Sequence, residues 1–455
     1  MKMSLTVTFY LGFMKQEIFM IDNRKLCGAE QAVEILNRLT NSSNVVVSGR
    51  IFGLLSEEVV RQGLDLIQDH HARLNSRIVG DLDNLRFETG AKKIPLRVVD
   101  KKHEGQWQET LIEELNTKIE SSEVLLRAVL VQEQELGENS TSHLIITIHH
   151  AIADALSSIH LYSELLSYCS KVASGEPPVP VSRLSALPSI DELFPPSTKG
   201  FRGKINILLS LLRFQLKLLL HRPENLGIEK SIPLELRRCG NVYRHLDADF
   251  TQQLVNRCRQ EKTTVQGALC AAMMLVAARK IRPDRTTRVS CRSYVDLRKY
   301  LKPVVSNEHM GTLISGVNSF HTVDTKRSFW ELARDVIQQL KVGLKRDDMF
   351  IEMLLLRKST DLMISRASQV PLTVGLSNVG QVNIPKVYGK FELSEISFVP
   401  SQATVEGYVL ASVTTFEGNM FLHFPFSVPA ISQETMETFV DKVLSCLVDA
   451  TKVKV

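Results

Sequence analysis

Near the middle of the chain, a run of strand-forming apolar residues at 144–148 ends abruptly in the hexapeptide 149–154, which contains two adjacent histidines and an aspartate. A stretch with helical periodicity follows at once, so the chain must pass from a buried strand directly into a helix. A histidine held beside a fixed acidic group can abstract a proton from a weak nucleophile, because its ordinary pKa lies near neutral pH. The segment therefore predicts an α/β unit with a base, His149 or His150, close to Asp154.

Plainer explanations exist for the same three residues. Asp154 is a natural N-cap for the following helix, and two histidines at a strand end can simply be hydrogen-bonded structural residues. Two histidines and a carboxylate also ligate iron, but successive strand residues point to opposite faces, so no metal is expected here. For the same reason only one of His149 and His150 can face the reacting atoms. The sequence contains no G-x-S-x-G elbow, which excludes a serine hydrolase of that type.

Length and composition indicate a globular protein with more than one core. At 455 residues, with 44% hydrophobic and 23% charged residues, the chain exceeds the size of a single ordinary core. The net charge of +5 is small and argues against a nucleic-acid partner, which would need a dense basic stripe. The seven cysteines are scattered without a C-x-x-C pair, which is typical of reduced thiols in the cytoplasm.

Strand-like and helix-like runs alternate in two halves of the chain. Residues 1–175 begin with an apolar run that we expect to be a strand, and they contain the histidine hexapeptide. Residues 176–225 are rich in proline at first and predict a strap between the halves. Residues 226–455 repeat the alternation, so we predict two α/β lobes built as layers of sheet and helix.

The stretch at 200–221 combines many leucines with Arg202, Lys204, Arg213 and Lys217. A basic amphipathic helix of this kind can lie on an anionic membrane surface. Apolar stripes at helical spacing are more often core, so a helix buried against the second lobe or lining a lipid channel is the alternative. No run is long enough to span a membrane. The expected location is the cytoplasm, with peripheral membrane contact through 200–221 left open.

Four further segments, in chain order, resemble the chloramphenicol-acetyltransferase-like superfamily. This superfamily includes nonribosomal-peptide condensation domains, alcohol acetyltransferases, phthiocerol dimycocerosyl transferases and the plant BAHD enzymes. Besides H-H-x-x-x-D at 149–154, the segments are H-H-A-R-L at 70–74, V-D-L-R at 295–298, N-x-x-x-G at 307–311 and S-N-V-G at 377–380. The resemblance covers nearly the whole chain. Ala155 stands where the family usually has glycine, and the D-F-G-W-G motif of the BAHD branch is absent.

The resemblance implies a fold and a set of residue roles. It implies two lobes that meet along an active-site channel, with His150 as general base halfway along it. Asp154 is implied to pair with an arginine and fix the loop, and the candidates are Arg298, which is preferred, and Arg292. Ser377 and Asn378 end a strand of the second half and are candidates for stabilising an oxyanion.

The expected reaction is acyl transfer to a hydroxyl, which gives an ester. The donor would be an acyl thioester of coenzyme A or of a phosphopantetheinyl carrier protein, and no further cofactor is expected. No covalent acyl-enzyme is required, because a thioester is already activated. The alternatives are a stand-alone condensation enzyme that acts on an amine acceptor and forms an amide, and a non-catalytic member that binds the acyl chain or carrier protein.

Overall fold

The computed structural model of the chain describes six stretches of residues. They are 22–40, 43–133, 140–175, 182–324, 327–366 and 372–452. The strand expected near the N-terminus and the prolines at 177, 178 and 180 lie outside the described residues.

Helices and strands alternate through the first half of the chain, as the sequence predicts. The helices are α1 (Gly28–Leu39), α2 (Glu57–His70), α3 (Gln106–Asn116) and α4 (Ala155–Ala173). The strands are β1 (Asn44–Phe52), β2 (Ser76–Val79), β3 (Arg86–Thr89), β4 (Leu96–Asp100), β5 (Leu126–Gln132) and β6 (Thr141–His149). Ser56 is the N-cap of α2, since its side chain accepts a hydrogen bond from the Val59 amide at 3.3 Å.

The second half of the chain has the same alternation. Helix α5 (Gly200–His221) lies just before this half. The helices of the half itself are α6 (Ala248–Gln260), α7 (Val265–Ile281), α8 (Phe329–Lys345), α9 (Asp348–Arg366) and α10 (Gln433–Thr451). Its strands are β7 (Arg238–Leu246), β8 (Thr287–Asp296), β9 (Ile314–Val323), β10 (Val374–Gln381), β11 (Val387–Tyr388), β12 (Phe391–Pro400), β13 (Val409–Phe416) and β14 (Asn419–Val428).

Two six-stranded sheets organise these elements into two lobes, which confirms the predicted mixed α/β class. The first sheet has the order β11-β12-β1-β6-β5-β4, and the second has the order β7-β14-β13-β10-β8-β9. Strand β12 lies late in the chain but pairs antiparallel with β1, with Val399 opposite Val46. The predicted boundary at residue 226 divides the chain into two consecutive halves. Residues 387–400 lie after this boundary but belong to the first sheet.

Strand β6, which leads into the histidine hexapeptide, is buried along its whole length. Its side chains alternate between two cores: Leu144, Ile146 and Ile148 lie in the large core of the first lobe, while Ile145 lies in a smaller core on the opposite face. A strand with apolar contacts on both faces reads as a continuous hydrophobic run, which explains the sequence at 144–148.

Helix α4 is fixed on the first sheet by one aromatic side chain. Tyr162 is fully buried and donates a hydrogen bond to the Leu144 carbonyl at 3.1 Å. A Cβ atom at Gly49 on β1 would lie 2.7 Å from Cζ of Tyr162, so this crossing requires glycine. The contact sets the position of α4, and hence of the loop that precedes it.

A hairpin joins β13 to β14. Its turn lies at Glu417 and Gly418, with φ of 48° and 80°. Asn419 already belongs to β14 and pairs with Phe416. Two successive residues with positive φ give a turn whose twist matches that of the strands.

Among the described residues, no single helix has both the length and the hydropathy to cross a membrane. One bent pair, Ala248–Gln260 with Val265–Ile281, passes such a test by composition, and α7 within it is packed in the core of the second lobe. The helix predicted at 200–221 is present as α5. One of its sides contacts the second lobe and the other is exposed, so it is not the buried helix of the alternative prediction.

Candidate active site

The hexapeptide forms a tight passage from strand to helix. His149 is the last residue of β6, and Asp154 is the N-cap of α4. Between them the backbone is held by two hydrogen bonds, from the His150 amide to the Ser43 carbonyl at 3.2 Å and from the Ile152 amide to the His149 carbonyl at 3.0 Å. The imidazole of residue 150 is therefore presented by a loop that both neighbouring elements fix.

His150 has the features of a neutral base. Its Nδ1 lies 2.7 Å from the Ala153 carbonyl oxygen, which assigns the proton to Nδ1 and leaves a lone pair on Nε2. Burial lowers the pKa of His150 below its ordinary value, and the Ala153 carbonyl and the Asp154 charge offset only part of that effect. The residue stays partly exposed.

His149, which the sequence groups with the catalytic residues, points the other way. Its side chain is fully buried, and its Nε2 lies 2.9 Å from the Glu34 carboxylate, also fully buried. The Ala151 amide donates to its Nδ1 at 3.2 Å. Glu34 accepts further hydrogen bonds from Ser121 and Arg38 at 2.7 and 2.6 Å. Burial raises the pKa of Glu34, but these partners outweigh it and the pKa lies below its ordinary value. These contacts are typical of a histidine with a structural role.

Asp154 uses both carboxylate oxygens to hold the loop. Arg298 donates to Oδ2 at 2.9 Å and to Oδ1 at 3.1 Å, and both side chains are buried. The Ser157 amide donates to Oδ1 at 2.8 Å, and the Leu313 amide donates to Oδ2 at 3.1 Å. Burial raises the pKa of Asp154, but Arg298 outweighs it and the pKa is lowered. The hydrogen-bond partner of the His150 ring is thus the Ala153 carbonyl and not this carboxylate.

The two arginine candidates have different partners. Arg298 follows β8 in a single 3₁₀ turn, and besides Asp154 it donates to Asp296 at 2.8 Å. Arg292 lies within β8 and forms an ion pair with Glu352 of α9. Of the two, the structure places only Arg298 at the hexapeptide.

Residues 311–313 of the second half close over the hexapeptide loop. The Gly311 carbonyl accepts a hydrogen bond from the Asp154 amide at 3.1 Å, and the Thr312 hydroxyl donates to the His150 carbonyl. A cavity of about 20 Å³ beside them is lined by Ala151 and Ile152 of the first half and by Met310 to Leu313 of the second. This is room for about one water molecule. The site is therefore built jointly by the two halves of the chain.

Ser377 and Asn378 lie in the middle of β10 in the second sheet, and not at the end of a strand as the sequence predicts. Asn378 uses its side-chain oxygen to accept a hydrogen bond from the Gly380 amide at 2.9 Å, as in a turn, while its side-chain NH₂ remains a donor. Ser377 is buried and pairs in register with Ser412 of β13. Among the described residues, hydrogen bonds join neither of them to His150.

A second group of titratable side chains lies at the end of α2. His71 and His70 place their Nε2 atoms 2.8 and 3.3 Å from the two oxygens of Glu164 on α4. The sequence does not reveal this cluster, because Glu164 is far from these histidines in the chain. The contacts pair both rings with one carboxylate and join α2 to α4.

Two family models match this chain, one in each half. The model of the condensation domain matches residues 31–183, and the model of the phthiocerol/phthiodiolone dimycocerosyl transferase C-terminus matches residues 238–428. The first match includes His150 and Asp154, and the second includes Arg298, Ser377 and Asn378. The chain belongs to the chloramphenicol-acetyltransferase-like superfamily of condensation enzymes and acyltransferases. Acyl transfer is the general reaction that this superfamily supports.

Solved structures with the same superfamily fold cover nearly all of the chain. The trichothecene 15-O-acetyltransferase TRI3 of Fusarium sporotrichioides is 11% identical with a TM-score of 0.76, and the match covers 95% of this chain and 96% of that one. The first condensation domain of the calcium-dependent antibiotic synthetase is 14% identical with a TM-score of 0.72 and coverage of 94% and 96%. Polyketide synthase associated protein 5 of Mycobacterium tuberculosis is 15% identical with a TM-score of 0.69 and coverage of 95% and 98%. No curated protein sequence matches the chain.

Proposed function

We propose that this protein transfers an acyl group from a thioester to a hydroxyl acceptor, forming an ester, with His150 as the general base. One observation carries the proposal. The hydrogen bond from His150 Nδ1 to the Ala153 carbonyl leaves Nε2 unprotonated on a partly exposed residue, which is the state a general base needs. The low pKa of His150 supports this role, because the ring stays neutral at and below neutral pH.

The proposed chemistry needs no covalent acyl-enzyme. Nε2 of His150 takes the proton of the acceptor hydroxyl while the oxygen forms a bond to the thioester carbonyl carbon. The tetrahedral intermediate then collapses, its carbon–sulfur bond breaks, and the imidazolium returns the proton to the leaving thiolate. Asp154 and Arg298 act as positioning residues, since they fix the loop without touching the reacting atoms.

The oxyanion of the intermediate needs hydrogen-bond donors aimed at it. Ser377 and Asn378 remain our proposal for this role. The NH₂ group of Asn378 is a suitable donor because its oxygen is the atom that binds the Gly380 amide.

The donor is proposed to be an acyl thioester of a carrier protein or of coenzyme A, with no separate cofactor. A carrier-bound donor is supported by the likeness to a polyketide-synthase-associated protein and to a condensation domain. An ester product is supported by the likeness to an O-acetyltransferase. The second candidate function is amide formation, in which the same imidazole would deprotonate an amine.

Product analysis tests the reaction directly. Purified protein is offered acyl-CoA and acyl-carrier thioesters with alcohols or amines, free thiol is followed by colour reaction, and products are identified by mass spectrometry. We expect thiol release that depends on an alcohol and a product with the mass of the ester. His150→Ala should lower turnover by about 10²–10⁴-fold, whereas His103→Ala, at an exposed histidine of the first lobe, should not.

Three outcomes would contradict the proposal. Full turnover by His150→Ala would remove the proposed base. Release that depends on an amine, with an amide as product, would favour the condensation alternative. Binding of acyl thioesters without any turnover would favour a non-catalytic member.

A further inference from the structure

Helix α5 turns a continuous apolar stripe toward solvent. Its exposed large side chains recur at spacings of three and four residues, so they share one face. They are Phe201, Ile205, Leu208, Leu209, Leu212, Leu216, Leu219 and Leu220. Phe201 is 79% exposed and Leu219 is 65% exposed, in contrast to the buried leucines of the two cores. At 1.5 Å per residue the stripe is about 28 Å long. We refer to these eight residues as the outer face of α5.

The opposite side of the same helix is attached to the second lobe. Phe214 and His221 pack on Phe320 of strand β9, with ring centroids 6.2 and 5.6 Å apart, and Lys217 lies over the same ring. The Leu220 carbonyl near the end of the helix accepts a hydrogen bond from Arg288 at 3.3 Å. The helix is therefore held in place with its outer face away from the protein.

The charged residues of the segment that carries the outer face have a single sign. Residues 199–222 contain six lysines and arginines and no aspartate or glutamate. Lys199, Lys204, Arg213 and Arg222 are exposed. On a helical projection Lys204 and Arg213 lie on the two borders of the stripe. Cations that border an apolar stripe can reach anionic headgroups while the leucines enter the acyl region.

We propose that the outer face of α5 docks this protein on the surface of an anionic lipid bilayer, with the helix parallel to the membrane plane. A contiguous apolar surface of this size on a monomer marks an interaction site. Pairing with a second copy through the same face would bring the cations of the two helices together without any acid in the segment to offset them. An anionic bilayer supplies the missing negative charge, so the charge pattern favours lipid as the occupant. Docking is independent of the acyl-transfer proposal.

Vesicle binding by the full-length protein tests this proposal. The protein is incubated with vesicles of pure phosphatidylcholine, or of phosphatidylcholine with about 30% phosphatidylserine, and the bound fraction is measured by flotation. We expect binding to the anionic vesicles that weakens as salt is added, because the electrostatic part is screened. Leu212→Gln/Leu216→Gln should lower the binding constant by about tenfold or more, since two leucines no longer enter the bilayer. Lys204→Gln/Arg213→Gln should lower binding to the anionic vesicles alone.

A matched control separates this face from exposed leucines in general. Leu236 and Leu362 are 60% and 50% exposed at other places, so Leu236→Gln/Leu362→Gln should leave vesicle binding unchanged. Circular dichroism and the urea midpoint should be unaltered in all three variants, because the replaced side chains are mainly exposed. Absence of binding to both kinds of vesicle would overturn the proposal. So would a dimer in lipid-free buffer that Leu212→Gln/Leu216→Gln dissociates, because the occupant would then be a second copy.

Discussion

His149 and His150 are adjacent in sequence but have opposite environments. Successive residues at the end of a strand point to opposite faces, so the two rings diverge. His149 enters the core against Glu34, whereas His150 stays partly exposed with Nε2 free to accept a proton. The buried contact between the His149 ring and the Glu34 carboxylate fixes the end of β6. The loop that carries His150 begins at this fixed end.

The neighbouring aspartate does not act on the imidazole directly. Each oxygen of Asp154 already accepts hydrogen bonds from Arg298 and from a backbone amide. A backbone carbonyl, that of Ala153, orients the His150 ring instead. A neutral carbonyl fixes the tautomer as a carboxylate would, but it raises the basicity of the ring less.

The pH dependence of turnover should reflect this arrangement. Burial lowers the pKa of His150, so the ring loses its proton, and becomes an active base, at a pH below the ordinary histidine value of 6.5. We expect the acid limb of kcat/KM to have its midpoint below 6.5 and activity to remain on the alkaline side of it. The check is kcat/KM measured from about pH 5 to pH 8, corrected for spontaneous thioester hydrolysis. A midpoint at or above 6.5 would contradict a base whose pKa is lowered by its surroundings.

The residues of the site differ in how far the sequence could predict them. His150, Asp154 and Arg298 lie in recognisable segments, and the structure brings these three together. Glu34 could not be predicted, because its role depends on α1 packing under β6 far away in the chain. Thr312 directly follows the N-x-x-x-G segment, so the sequence points to this part of the chain. Its hydrogen bond to the His150 carbonyl could not be predicted, because it depends on how the two halves meet.

At the scale of elements, the critical junction is between the 3₁₀ turn after β8 and the first turn of α4. Arg298 reaches across this junction to Asp154, and its Nη2 also donates to the Ser157 hydroxyl at 2.6 Å. Both charges are buried, so neither has water to replace a lost partner. Removing one member of such a pair is more damaging than removing both.

We therefore expect Arg298→Ala to lower the free energy of unfolding by about 3–5 kcal/mol. The double variant Asp154→Ala/Arg298→Ala should lose less than the sum of the single variants, because no unpaired charge remains. Arg244→Ala is the control, since Arg244 pairs with Asp441 at the surface and should contribute less than about 1 kcal/mol. Urea unfolding followed by circular dichroism measures the wild-type protein, the variants Arg298→Ala, Asp154→Ala and Arg244→Ala, and the double variant. Additive losses in the double variant would show that the buried pair is not coupled as described.

Most helices and strands could be predicted because each has a strong local signal. The N-caps at Ser56, Thr264 and Ser432 are examples, since each side chain accepts a hydrogen bond from an amide in the first turn of its helix. Strand β4 could not be predicted in this way, because it lies at a sheet edge, where burial and hence the apolar pattern are less regular. The apolar side of a helix usually packs in the core, but the apolar side of α5 is the exposed one.

At the scale of the whole molecule, the two lobes do not correspond to two consecutive parts of the chain. Strand β12 comes after most of the second sheet but pairs with β1 over most of its length. Phe391 and Phe398 of this strand, with Phe416 and Phe421 of the next hairpin, lie in the core of the first lobe. Local patterns predict that β12 is a strand but not which sheet it joins, because pairing partners are set by long-range packing.

Because β12 lies within the second half of the chain but belongs to the first sheet, we predict that the two lobes unfold together. The chain has two tryptophans: Trp107 on α3 stacks on His143 in the first lobe, and Trp330 on α8 is buried in the second. The variants Trp107→Phe and Trp330→Phe each leave one reporter. We expect the fluorescence of each to change at the same urea concentration as the circular dichroism of the same variant, since loss of either sheet exposes the shared core. Separate midpoints for the two reporters would mean that β12 contributes little to cooperativity. In that case the loop around His150, which residues from both halves hold, could open without unfolding either lobe.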